Sequence, residues 1–116
     1  MSEVGASEGK SMRLKKGVRI FGLRPELTLA LFICEQVYRD ANTELVITSV
    51  IDGKHSVGSL HYTGSAVDLR IRDFPAGQAG SVRDQIAERL GNDFDAVLER
   101  DHIHLEFQPK LSYERN

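Results

Sequence analysis

The strongest constraint on this chain is alternation. From Ala66 to Arg72, Val67, Leu69 and Ile71 point one way, while Asp68, Arg70 and Arg72 point the other. From His102 to Phe107, Ile103, Leu105 and Phe107 take one side, and His102, His104 and Glu106 take the other. Each segment is expected to be a strand with one face on a core and one polar face. The tight Glu99–His102 junction joins the second segment to a further strand, Phe94 to Glu99, and favours antiparallel pairing. The polar face of such a sheet would carry Asp68, His102 and His104 together.

Helices are expected on the other face. Pro25 suits a first helical position, with Glu26 in the first turn. Leu27, Leu31, Cys34 and Tyr38 follow at helical spacing and predict a helix over 25–40. Ser81 is placed to cap a second helix with Val82, Ile86 and Leu90 on one stripe, ended by Gly91. Val18 to Phe21 is expected to be a short strand, and the β-branched run Glu44 to Ile51 a longer one. Loops are expected from Asp52 to about Gly64 and from Pro75 to Gly80. Residues 1–12, rich in Ser, Gly and Glu, are expected to be a loose tail before a single domain over 13–116. The order strand, helix, strand, strand, helix, strand, strand predicts an α+β fold, with helices on one face of a mainly antiparallel sheet.

A chain of 116 residues can bury an adequate core without disulfides or a structural metal. Any metal it binds is therefore expected to be functional. The net charge of −2, from 15 basic and 17 acidic residues, leaves no footprint for nucleic acid or an anionic membrane. The one cysteine, Cys34, rules out an intrachain disulfide and sits in an apolar run that favours a buried thiol. No stretch is long and apolar enough to span a bilayer. Met1 to Lys10 lacks the apolar core of a signal peptide. The expectation is a protein that stays where it is made, in the cytoplasm, or leaves by a route that needs no signal.

The four histidines carry the chemistry. His61 lies in Ser59-Leu60-His61-Tyr62-Thr63-Gly64-Ser65-Ala66-Val67-Asp68, with an imidazole and a carboxylate seven residues apart. Asp101-His102-Ile103-His104 supplies two more imidazoles, and His55 precedes His61 by six residues. Facing strands can bring Asp68 and His104 close enough to share a metal, and His61, on the loop into the Asp68 strand, can close a third corner. Three protein ligands with an open position for water is the pattern of catalytic zinc. Zinc brings the pKa of water to roughly 7 and polarises a carbonyl. A carboxylate must then carry the proton to the leaving amine, and Asp101 and Glu99 are the candidates. His102 and His55 are placed to stabilise an oxyanion or orient water.

The segment Ser59 to Asp68 matches the S-x-H-x-x-G-x-A-x-D pattern of the zinc D-Ala-D-Ala carboxypeptidases and related phage and bacterial peptidoglycan peptidases. The wider stretch from Asp52 to Asp68 resembles the zinc region of hedgehog signalling domains, which share the peptidase fold. Phe94 to Glu99 followed by His102-Ile103-His104 resembles their second zinc segment. The resemblance covers about residues 44–107. It implies a sheet with the zinc site on the face opposite the helices, and makes His61, Asp68 and His104 the zinc ligands. The peptidases place an acid three residues before the last ligand, here Asp101; hedgehog-like sequences place a Glu at the end of the preceding strand, which Glu99 resembles. Spacing favours Asp101. His102 resembles the non-ligand histidine before the last ligand, and His55 a catalytic or supporting histidine. Many of the carboxypeptidases also carry an upstream Arg for the substrate carboxylate, and Thr48 to Asp52 holds none. Arg70, Arg72 and Lys54 are the candidates to replace it, and an endopeptidase would need none.

The resemblance thus leads to the expectation of a zinc metallopeptidase acting on bacterial peptidoglycan stem peptides, as a phage lysin or a virion-carried enzyme would. The competing expectation is a zinc-bound module of the same fold that binds partners with little or no catalysis. The same ligand set would also suit manganese or cobalt. Against these stand plainer readings of single residues. His55 alone could be structural, Ser59 and Gly64 could merely shape the loop, and Arg70 and Arg72 could form a solvated strand face. Glu106 suits an acceptor behind the ligands or the open surface.

Overall fold

Alternation reappears as burial in the computed structural model, which describes residues 12–19, 23–52 and 65–109. Among the described residues, five strands form one sheet: β1 (Arg13–Leu14), β2 (Val46–Asp52), β3 (Ser65–Arg70), β4 (Phe94–Leu98) and β5 (His102–Phe107). Two helices among the described residues, α1 (Pro25–Asp40) and α2 (Gln78–Leu90), complete an α+β fold. The strand order is β1-β2-β3-β5-β4. β1 runs parallel to β2, and the other three pairings are antiparallel, so the sheet is mixed.

The core lies between the helices and one face of this sheet. Leu27, Leu31, Cys34, Val37 and Tyr38 of α1 meet Val82 and Ile86 of α2 over Ile47, Val67, Leu69, Ile103 and Leu105. All of these side chains are buried. Each such Val, Leu or Ile contributes roughly 1.5–3 kcal/mol by leaving water, so a handful of them outweighs any surface interaction here. Their pairing also fixes register, because Val67 sits opposite Leu105 and Leu69 opposite Ile103. A slip of one residue would turn every one of these side chains to the other face.

α1 starts where Pro25 presets the backbone, with Arg24 extended before it and no side-chain cap. Tyr38, near its end, donates its hydroxyl to the Arg70 carbonyl at 2.7 Å and so ties the end of β3 to the helix layer. Burial pushes the Cys34 thiol up to about 12, which keeps it an inert, apolar core group.

Several expectations need correction. Val18 and Arg19 lie outside any strand, and the N-terminal strand is β1 instead. The reason is the turn at Lys16-Gly17, where Gly17 takes φ 91° and Val18 N–H reaches back to the Lys15 carbonyl, ending the strand early. Ile20 and Phe21 lie outside the described residues. The second helix starts at Gln78, so Ser81 sits inside it and accepts from Gln85 Nε2 rather than capping. A turn from Pro75, closed by the Gln78 N–H, delivers the chain to the helix sooner than the expected cap at Ser81, and Gly77 with φ 87° occupies the cap position. The expected strands over 66–72 and 94–99 end at Arg70 and Leu98. Gly91 does close α2, with φ 84°. Met12, expected in the tail, packs against the core; residues 1–11 lie outside the described residues. No helix of the described residues is long and apolar enough to cross a membrane.

Candidate metal centre

The sheet face away from the helices is built by the same register that builds the core. Asp68 lies directly opposite His104, and Arg70 opposite His102. Val97 pairs with His104 from the other side, and Ser49 with Asp68, so Val97, His104, Asp68 and Ser49 form one row across four strands. A register shift between Ile47 and Ser49 leaves Thr48 out of step in β2, and its hydroxyl donates to the Asp68 carbonyl at 3.3 Å. That contact holds the backbone of the central acid from one side while β5 holds it from the other.

Asp68, His102 and His104 each offer one ligand atom, and these atoms all lie within 4.8 Å of one another. His104 Nδ1 is 2.9 Å from Asp68 Oδ1, and His102 Nε2 is 3.5 Å from the same oxygen. The three side chains are half-buried. Behind them stand two further carboxylates. Asp101 Oδ1 lies 2.7 Å from His102 Nδ1, and Glu106 Oε1 lies 3.1 Å from His104 Nε2. Gln108 Nε2 donates to Glu106 Oε2 at 2.7 Å and holds that carboxylate in turn.

The electrostatics follow from these contacts. Burial disfavours the charged form of His104, but its bonds to Asp68 and Glu106 outweigh burial and raise its pKa. Burial also works against the Glu106 anion, yet the Gln108 and His104 bonds win and lower its pKa. The His102 bond lowers the pKa of Asp101, which is exposed on the hairpin turn. A metal would compete with a proton for His104, since the ligating imidazole must be neutral.

Among the expected site residues, Asp68 and His104 are brought together. His102, expected beside the metal rather than on it, joins the same cluster. Glu99 and Asp101 flank His102: the Glu99 N–H donates to the His102 carbonyl at 2.8 Å, which closes the β4–β5 hairpin, and both side chains are exposed. His55 and His61 lie outside the described residues, as does Lys54. Arg70 is half-buried on the site face, and Arg72 is exposed in the turn after β3. Glu106 takes the supporting position open to it in sequence, as acceptor for His104. The part missed in sequence was Gln108; its one signal is that it lies two residues beyond Glu106, past the end of β5.

The donor set of one carboxylate and two imidazoles suits zinc and other borderline divalent metals. No family model, no curated protein and no solved structure matches this chain.

Proposed function

We propose that the protein is a zinc metallopeptidase that hydrolyses peptide bonds in bacterial peptidoglycan stems. The observation that carries this reading is the convergence of Asp68, His102 and His104 on the face where the Ser59–Asp68 motif ends. The hedgehog and D-Ala-D-Ala peptidase resemblance adds the substrate class and His61 as a ligand.

In this reading Asp68 and His104 hold the metal, and Glu106 holds His104 by its far nitrogen. Zinc, when bound, supplies a Lewis acid that polarises the scissile carbonyl and brings the pKa of water to roughly 7. The chain's own part is positioning and proton transfer. Asp101 or Glu99 takes a proton from the attacking water and passes it to the leaving amine nitrogen. Arg70, opposite His102, offers a guanidinium to a substrate carboxylate. His55 and His102 orient water or stabilise the oxyanion.

The test is digestion of purified peptidoglycan with mass spectrometry of the released fragments, alongside His104→Ala, Asp101→Ala and Glu99→Gln. Release of defined stem fragments by the wild type and its loss in His104→Ala are expected. Equal release by all four proteins would end the mechanism.

A second reading is a zinc-bound module that recognises partners without turnover. It is favoured by the placement of Asp101, whose carboxylate is engaged with His102. Stoichiometric zinc with no released amino groups would select it.

A further inference from the structure

β4 is one edge of the sheet. The Glu99 N–H donates to the His102 carbonyl, and the Gln108 N–H to the Asp93 carbonyl, so these residues mark bonded positions of the β4–β5 ladder. Bonded positions alternate, and no register shift interrupts this pair. Asp95 and Val97 turn their backbone groups toward β5, while Phe94, Ala96 and Leu98 turn theirs outward. Among the described residues, no hydrogen bond reaches the outward N–H of Ala96 or Leu98. We infer that β4 pairs antiparallel with β4 of a second copy, about a twofold axis at Ala96, and so joins two sheets into one. The inference needs no metal and does not rest on the peptidase reading.

The strand lacks the devices that keep an edge solitary. It has no proline, no lysine and no bulge, and Asp95 is its one charge. Leu98 keeps 40% of its surface exposed and Val97 45%, two of the four large apolar side chains exposed among the described residues. An axis at Ala96 sets Ala96 against its own copy, Phe94 against Leu98, and Asp95 against Val97, so no like charges meet within the strand. Beyond its ends Glu99 faces Asp93, and both are exposed to screening by water and salt. At the start of β4 an open groove of about 620 Å³ is lined by Ala87, Glu88, Gly91, Asn92, Phe94 and Asp95. Phe94 forms its apolar wall, held by a ring contact with Phe107 at 5.1 Å. At the end of β4, Leu98 stands beside Gly80 of α2, on the same side of the sheet as Phe94. Phe94 and Leu98 are equally far from Ala96. The axis that sets Leu98 of one copy on the Phe94 groove of the other does the same in reverse. That self-complementarity is what a twofold contact requires, and it selects a second copy over an unrelated strand.

The same alternation sets the bonds. The Ala96 N–H donates to the Ala96 carbonyl of the second copy and the reverse, while the Leu98 N–H donates to the Phe94 carbonyl at both ends. The axis stands perpendicular to the sheet, so both copies turn the same face to the same side. The helices of both cover one surface, and both Asp68, His102 and His104 clusters open on the other. β1 lies at the far edge of each sheet, so the pairing closes at two chains.

Sedimentation equilibrium of the full chain tests this. The mass should rise with concentration from 13.0 kDa toward twice that value and stop there. Leu98→Lys puts a charge on the open edge, and Ala96→Pro removes an outward N–H at a position where an edge strand tolerates proline. Each should weaken the dimer by roughly tenfold or more, because each change is present twice in the contact. Circular dichroism checks that both variants keep the fold. Engineered cysteines fix the register, and Cys34 is buried out of reach. Ala96→Cys should cross-link to its own copy with diamide, since Cα atoms of a bonded pair lie roughly 5.5 Å apart, within disulfide range. Leu98→Cys should not, because four residues of strand place it roughly 14 Å from its own copy. A single-chain mass from micromolar to millimolar concentration overturns the inference. So does growth past two chains, a dimer that neither variant weakens, or cross-linking of Leu98→Cys as readily as Ala96→Cys. A chain that stays single while an added extended peptide shifts the Ala96 and Leu98 amide NMR signals would give the edge to another partner, and overturns the second copy.

Discussion

The two faces of β3 and β5 use the same backbone for opposite purposes. On one face Val67, Leu69, Ile103 and Leu105 are fully buried under the helices. On the other, Asp68, His102, His104 and Glu106 are half-buried and bonded to one another. The residues interleave one by one, so a single register serves both. The core face provides most of the stability, because apolar burial scales with area and is indifferent to geometry. The site face contributes little stability but depends on distances of a few tenths of an ångström. It can therefore be altered chemically while the fold stands, whereas the reverse does not hold.

That asymmetry is easiest to break from the core side. Leu69→Ala removes a side chain with no exposure, and should cost roughly 2–5 kcal/mol, read as a shift of the denaturation midpoint. Metal binding should fall with it, since Asp68 and Arg70 flank that position on the same strand. A stable Leu69→Ala protein with full zinc affinity would show that the faces are less coupled than the register implies.

Metal removal attacks the other face. Chelation should leave the circular dichroism spectrum intact, because the core needs no metal. Zinc at a hundred times its dissociation constant should then restore about 2.7 kcal/mol of stability. Unfolding on chelation alone would make the metal structural.

A smaller effect lies in pH. His104 has its pKa raised above 6.5, so the stability it contributes to the metal-free protein is complete below that value and is lost as pH rises through the folded pKa. Glu106 is lowered from 4.5, so its contribution is present above that value and is lost as pH falls through the folded pKa. Metal-free protein should therefore be most stable between about 4.5 and 6.5, and urea midpoints on either side of that window check it. His104→Gln should flatten the alkaline side. Zinc affinity should run the opposite way and rise with pH, because the proton on His104 must leave.

The smallest effect expected is at Leu29, exposed on α1 away from both faces. Leu29→Gln should move stability by less than about 0.5 kcal/mol and leave zinc affinity unchanged. A large loss would reveal a surface that neither face accounts for.

Much of this is legible in the sequence. Helix α1 follows from Pro25 and the spacing of Leu27, Leu31, Cys34 and Tyr38. The split of β5 into a core side and a polar side follows from its letters, and burial matches it residue by residue. Less legible were the features that depend on backbone turns. Val18 and Arg19 lie outside a strand because Gly17 turns the chain after β1, and α2 starts early because a turn from Pro75 delivers it. Neither turn leaves a periodic signal. For the site, the sequence placed Asp68 and His104 together, while His55 and His61 fall outside the described residues. The place of His102 was half-visible: its face was evident, but its partners were not.

The division has a physical cause. Side-chain alternation is a local property of an extended chain, so the sequence alone determined which residues share a face. Whether Asp68 meets His104, 36 residues away, depends on the register between two strands, which the shared core sets. Which nitrogen of each ring faces Asp68 depends further on Asp101 and Glu106 as acceptors on the far side. Those orientations are properties of packed neighbours in three dimensions, and only the tertiary structure decided them.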